Sequence, residues 1–169
     1  MSASTLIRPE MAALVDRPYG RTVSYPIAAS DIRKWAIAIH YPEPAPARHS
    51  GTDPIALAEF NPFAWGAAKT EPTGLEIEAD PAHAAAGAME HKLGVVPPDL
   101  RRALNGGVAV TYTGAAMRPG DVITAESAIA GYSEREGRLG QMLLTDVLTR
   151  WVNQDGEAVK DYRMTLIRY

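Results

Sequence analysis

Cysteine is absent from all 169 residues. That excludes disulfides, thiolate metal ligands and a cysteine nucleophile, and it permits a reducing compartment. An excess of one charge is also missing, since 17 Lys and Arg stand against 20 Asp and Glu for a net charge of −3. So even a balance offers no basic stripe for nucleic acid or an anionic membrane surface. No apolar run approaches the about 18 residues of a spanning helix, and no basic stretch followed by an apolar one opens the chain as a secretory signal would. The expectation is a soluble, cytoplasmic protein with neither nucleic acid nor membrane as partner. Histidines are few: His40, His49, His83 and His91 have no metal-ligand spacing, so no metal is expected. The serines lack a nucleophile-elbow pattern. Asn105-Gly106-Gly107 has neither the length nor the lysine of a phosphate loop.

What is present amounts to about one domain, without internal repeat or low-complexity segment. Residues 1–20 read as an N-terminal arm, with Met11 to Val15 as a short packing helix between Pro9 and Pro18. Residues 21–169 read as one domain. Arg21 to Ile27 alternates as a half-buried strand. From Ser30 a helix is predicted, with Ser30 as N-cap and Asp31 at the positive end of the dipole. Its apolar stripe is Ile32, Trp35, Ala36 and Ile39, and Pro42 ends it. Residues Glu43 to Arg48 are predicted to run extended, because Pro44 and Pro46 forbid a continuing helix. Gly51 to Pro54 is a turn. Ile55 to Ala68, with Phe60, Phe63 and Trp65, reads as a buried or partner-facing helix in which Pro62 starts a fresh segment.

Residues 69–107 form a long connection, with AHAAAGAMEHKLG as a surface helix and PPDLRRAL as another short one. So long a connection in a small domain either serves a ligand site or a partner, or is a mobile insertion. From Val108 the pattern turns to strands: Val108 to Tyr112, Val122 to Tyr132, Gln141 to Val152 and Ala158 to Arg168. Between them lie turns at Arg118-Pro119-Gly120-Asp121, Glu134 to Arg138 and Asn153 to Gly156. Four strands with short turns predict an antiparallel meander. Helix first and strands after argue an α+β fold with the sheet wrapped on the helix.

The order and spacing of DIRKWAIAI, EFNPFAW, RPGD and NQDGE resemble the MaoC-like hot-dog hydratases and dehydratases, in the N-terminal-half branch also called FAS1-like dehydratase domains. The resemblance runs from about Arg21 to Tyr169. It implies a hot-dog fold that pairs into a double hot dog. It also implies (R)-specific hydration of an enoyl thioester, or dehydration of a 3-hydroxyacyl thioester, in lipid metabolism. Coenzyme A or carrier-protein phosphopantetheine would be part of the substrate, and no cofactor is needed.

In that family the helix matching Asp31 to Tyr41 precedes an Asp-x-Asn-Pro-x-His segment whose Asp and His activate the added water. Aligned through Pro46, the Asp falls on Glu43, the Asn on Ala45 and the His on Arg48. A guanidinium holds its proton at neutral pH and cannot shuttle one. His49 stands next door, on the opposite face of an extended chain. The resemblance therefore implies a non-catalytic subunit paired with a hot-dog paralogue that keeps the Asp and His. The alternatives are a self-contained homodimer using Glu43 and His49, a silent acyl-thioester-binding module, and a hot-dog thioesterase using Glu59. Phe60, Phe63 and Trp65 would line the acyl tunnel or pack in the core. Arg101, Arg102, Arg118, Arg135 and Arg138 are candidates to meet coenzyme A phosphates or an acidic carrier protein. Asp121 is assigned to capping its turn.

Overall fold

A computed structural model describes residues 5–64 and 87–169 of the chain. It contains α1 (Pro9–Ala12), β1 (Pro18–Val23), α2 (Ala29–His40), α3 (Ala47–Ser50), α4 (Ala88–Lys92), β2 (Ala103–Tyr112), β3 (Thr124–Gly137), β4 (Gly140–Val152) and β5 (Ala158–Arg168). The strands form one antiparallel sheet in the order β1-β3-β4-β5-β2.

That order corrects the four-strand meander. Only β3, β4 and β5 follow one another as neighbours; β2 lies beside β5, at the far edge. Alternation defines a strand but not its partner, and the crossing segment after β2 carries the information that matters. Met117 and Ile123 are buried within it. The Met117 carbonyl accepts from the Ala56 N–H at 3.0 Å, and the Ile27 carbonyl accepts from the Gly120 N–H at 2.8 Å. Asp121 closes the turn by accepting the Arg118 N–H at 2.7 Å. Gly120 there has φ +92°, a left-handed conformation that an L side chain resists.

The sheet wraps its inner face around α2. Ile32 of α2 joins Ala125, Trp151 and Val159 of three strands in one buried cluster, with Ile27, Ala56, Phe60, Met117 and Ile123. The outer face carries Glu126, Arg150 and Asp161, which register places opposite one another across the strands, and Arg163 two residues further along β5. This is an α+β hot-dog fold.

Several local expectations change. The N-cap of α2 is Ala28 rather than Ser30; the extended Ala28 offers its carbonyl to the N–H groups of Asp31 and Ile32. Ile32 and Ala36 are buried, whereas Ile39 is 56% exposed, because it lies beyond the turn that the sheet covers. After the cis Tyr41-Pro42 bond, residues 43–46 have no regular structure, but Ala47–Ser50 forms the single-turn α3 where extended chain was predicted. Pro46 sits just before it, where a missing N–H costs nothing.

No helix forms over 55–64. The segment folds as successive turns, with the Phe60 N–H on the Leu57 carbonyl and the Ala64 N–H on the Asn61 carbonyl. Asn61 Oδ1 also accepts the Phe63 N–H at 2.9 Å, the local competition by which an Asn side chain displaces helix. Residues 65–68 of that predicted helix lie outside the described residues. PPDLRRAL forms no helix either: β2 begins at Ala103, and Arg102 exchanges two backbone hydrogen bonds with Tyr169, at 3.1 and 3.0 Å. The first strand is Pro18–Val23 rather than Arg21 to Ile27, and β3 runs through the expected turn to Gly137.

The predicted surface helix around residue 90 is, in its described part, the most buried polar site of the fold. Glu90 of α4 and Arg168 of β5 are both 0% exposed. Arg168 Nη1 donates to Glu90 Oε2 at 3.1 Å, a second and shorter bond joins Nη2 to Oε1, and Nη2 also meets Thr145 Oγ1 at 2.9 Å. Tyr132 donates its hydroxyl to Glu90 Oε1 at 3.1 Å. Met11 and Leu14, from α1 and just after it, are buried as well, and the Asp16 N–H bonds the Ile129 carbonyl.

Burial, and then the Glu90 charge, push the Tyr132 phenol above the usual tyrosine range. Its folded value is raised over the unfolded value near 10. The stability it contributes is therefore present below about pH 10 and lost as pH rises toward the folded value. In a tyrosinate-absorbance titration, Tyr132→Phe is expected to leave unchanged the number of tyrosines that ionise near pH 10 before unfolding. The same substitution should remove one from the number that ionise in urea.

Candidate active site

The inner face holds a cavity of about 640 Å³, within the size range of small-molecule sites. Its floor consists of two successive cross-strand rows. One is Thr22, Ala125, Trp151, Lys160 and Tyr112; the next is Gly20, Ser127, Thr149, Tyr162 and Val110. Paired residues share a face of a sheet, so strand register alone assembles this floor. Trp35 of α2 and Glu59, Asn61 and Phe63 of the turn segment make the walls. The Phe63 ring stands edge-on to Trp151, with centroids 4.9 Å apart. Ser127 and Thr149 hydroxyls hydrogen-bond each other at 2.8 Å.

Lys160 is the unexpected member. It is 6% exposed, and its amine donates to the Phe60 carbonyl at 3.2 Å. The same Nζ lies 4.1 Å from the Trp151 ring centroid and 5.9 Å from that of Tyr112, within reach of cation–π attraction. Burial lowers its pKa below the usual lysine range, and the Glu59 charge offsets part of that. The side chain faces inward in phase with Tyr162, opposite Trp151, and the β4–β5 register shift between Trp151 and Val152 turns the preceding Val159 inward beside it. At such a bulge two consecutive residues can face the core.

A second cavity of about 320 Å³ shares Glu59 and Tyr112 with the first and is lined also by Arg48, His49, Met117 and Val159. The α3 turn brings Arg48 and His49 to it. Ile55 anchors that turn twice, its N–H on the Arg48 carbonyl and its carbonyl on His49 Nδ1. A carbonyl only accepts, so Nδ1 is the donor in this contact and Nε2 is the ring nitrogen left for another partner. Arg33 of α2 braces the loop through the Gly51 carbonyl at 2.8 Å and the Thr52 carbonyl at 3.1 Å.

The other sequence candidates are dispersed. Glu43 is exposed, lines neither cavity, and has no hydrogen-bond or ion-pair partner among the described residues. Phe60 is buried in the core, Phe63 lines the larger cavity, and Trp65 lies outside the described residues. Arg101, Arg102 and Arg118 are exposed and line neither cavity; Arg101 pairs with Asp99 at 3.3 Å. Among the described residues, no three His, Asp or Glu side chains converge as metal ligands would, and no helix is long and apolar enough to cross a membrane. Lys160, Tyr112, Tyr162 and the Ser127–Thr149 pair were missed in the sequence. The only available signal was the inward phase of each strand, which depends on register.

Comparison with known proteins gives three findings. The model of the FAS1-like dehydratase domain region matches residues 13–162. The fold is similar to that of a chain of the ChsH1-ChsH2 complex from Mycobacterium tuberculosis, at 17% identity and TM-score 0.54, covering 90% of this chain and 84% of that one. A MaoC-like dehydratase from Rhodospirillum rubrum is found at 17% identity and TM-score 0.47, covering 89% and 90%. No curated protein matches the sequence. With the family model spanning most of its length, the chain belongs to the FAS1-like dehydratase domain family.

Proposed function

We propose that this chain is a subunit of an enoyl-thioester hydratase or 3-hydroxyacyl-thioester dehydratase, contributing the acyl pocket while a hot-dog partner contributes the acid–base pair. The observation that carries this reading is that the cavities lack the motif's acid–base pair. The cavities are well formed, yet Arg48 occupies the family's His position and Glu43 is exposed, with no partner among the described residues. A permanently charged guanidinium can hold an anion at the mouth but cannot carry a proton.

In the reaction a base on the partner takes a proton from water as its oxygen bonds C3. C2 then receives a proton, and the thioester oxygen bears the enolate charge between the two events. Edge strand β2, which among the described residues is paired on one side only, offers the partner its own sheet edge. A similar fold occurs in a chain of the ChsH1-ChsH2 complex, an assembly of two components.

The test is loss of conjugated-enoyl absorbance from crotonyl-CoA and a long-chain enoyl-CoA, with the chain alone and with a paralogue encoded beside it. Activity is expected only in the mixture, and it should be indifferent to Glu43→Gln in this chain. The orientation of the His49 ring favours a second reading, a self-contained hydratase. Turnover by the chain alone, falling about 10²-fold or more with His49→Ala, would establish that reading instead. Free thiol released from an acyl-CoA, and lost with Glu59→Gln, would point to a thioesterase.

A further inference from the structure

Lys160 is a buried cation facing a cavity, and among the described residues the opposite charge that acts on it, that of Glu59, lies outside ion-pair distance. Its amine gives one hydrogen bond to the Phe60 carbonyl and rests against the Trp151 ring. Among the described residues no carboxylate lies within ion-pair distance of it. An ammonium has three donors, and a buried charge is normally paired because desolvating it alone is costly. The fold shows the usual solution elsewhere: buried Arg168 is matched by buried Glu90. An apolar residue would suffice at position 160 if the cavity existed to take a plain alkyl chain.

Position tells which part of a ligand the amine would meet. The motif residues Arg48 and His49 line the smaller cavity, Lys160 lines the larger, and Glu59 and Tyr112 belong to both. A thioester reacting near the motif segment would send its acyl group past Glu59 and Tyr112 onto the floor that contains Lys160, Ser127 and Thr149. The far end of the acyl group then meets the cation and the paired hydroxyls. Glu59, exposed on the shared wall, acts on Lys160 and opposes an anion there, but its charge is screened by solvent more than that of the buried amine.

We infer that the larger cavity is a subsite for an acyl group ending in a carboxylate, held by Lys160, so that the chain handles dicarboxylic monothioesters in preference to alkyl ones. This rests on the thioester reading for the carrier, but not for the carboxylate.

The experiment is a titration of intrinsic tryptophan fluorescence, for which Trp151 on the cavity floor serves as reporter. Succinyl-, glutaryl- and adipyl-CoA are compared with the alkyl esters butyryl-, valeryl- and hexanoyl-CoA. In parallel, methyl hydrogen succinate is compared with methyl butyrate, which are free of coenzyme A. At least one carboxylate ligand is expected to bind about 10- to 100-fold tighter than its alkyl match, as a charge-assisted hydrogen bond would give. Lys160→Met should erase the preference, and Lys160→Arg should keep part of it.

Binding of coenzyme A esters without a carboxylate preference would overturn the inference and leave the thioester reading standing. A Lys160-dependent preference seen only with the methyl esters would uphold the subsite and sink the thioester reading. A preference that survives Lys160→Met, or no preference in the wild-type chain with either set, also overturns it, whatever the stability of the variants.

Discussion

Arg168→Met is expected to destabilise the chain by about 3–5 kcal/mol, because it leaves the Glu90 carboxylate buried and without its cation. Both side chains are fully buried and joined by two hydrogen bonds, with Thr145 and Tyr132 completing the network. For a domain of this size each kcal/mol moves the melting temperature by about 2–4 °C, so the midpoint should fall by about 6–20 °C. The pair is not itself a large net source of stability, since burying two charges costs much of what their attraction returns. The double variant Arg168→Met with Glu90→Leu should therefore recover most of the loss. Urea denaturation of the three proteins checks both statements. A single variant as stable as wild type would mean that water reaches Glu90.

Phe60→Ala should produce a loss of similar size, about 3–5 kcal/mol, by opening a cavity in the core. Phe60 is 1% exposed, and its ring stands edge-on to Trp35, with centroids 5.6 Å apart at 80°. Its carbonyl also receives the Lys160 amine, so loosening this turn would release the cation that the ring's own backbone holds. Phe60→Leu, which keeps most of the volume, should cost less than half as much. Thermal melts followed by Trp35 fluorescence measure both. An unchanged midpoint for the alanine variant would show that Phe60 belongs to a malleable tunnel wall rather than to the core.

Much of the fold was legible from local pattern. β5 runs over Ala158–Arg168, and β4 differs from the predicted strand by one residue at its start; in both, period-two alternation and flanking turns suffice. α2 was found from its stripe. What escaped depended on partners distant in sequence. Glu90 and Arg168 lie 78 positions apart, and nothing local distinguishes either from an ordinary surface charge. β2 was begun too late because PPDLRRAL was assigned to a helix and the connection was carried to residue 107, whereas Asn105-Gly106-Gly107 sits at a bulge opposite Leu166 and Thr165. The turns around Asn61 were taken for helix because apolar content outweighed the Asn-Pro pair, although a side chain that bonds its own backbone disfavours helix.

The site was less legible than the fold. His49 was read as pointing away from its neighbour's face, a deduction that holds in extended chain and fails once α3 winds Ala47–Ser50 into a turn. Arg48 and His49 then line one cavity. Lys160 was invisible because its inward phase is set by its pairing with Trp151, and the bulge that also buries Val159 blurs the alternation there.

The exposed edge of β2 bears on the life of the protein before it is assembled. Ten residues of strand, with Val108 and Tyr112 substantially exposed, present a row of backbone donors and acceptors that any other extended chain can zip onto. A newly made copy is thus safe only in proportion to how soon that edge is covered. In the proposed heteromer, synthesis in excess of the covering subunit would feed aggregation or proteolysis, which would hold the two chains at matched abundance without a dedicated regulator.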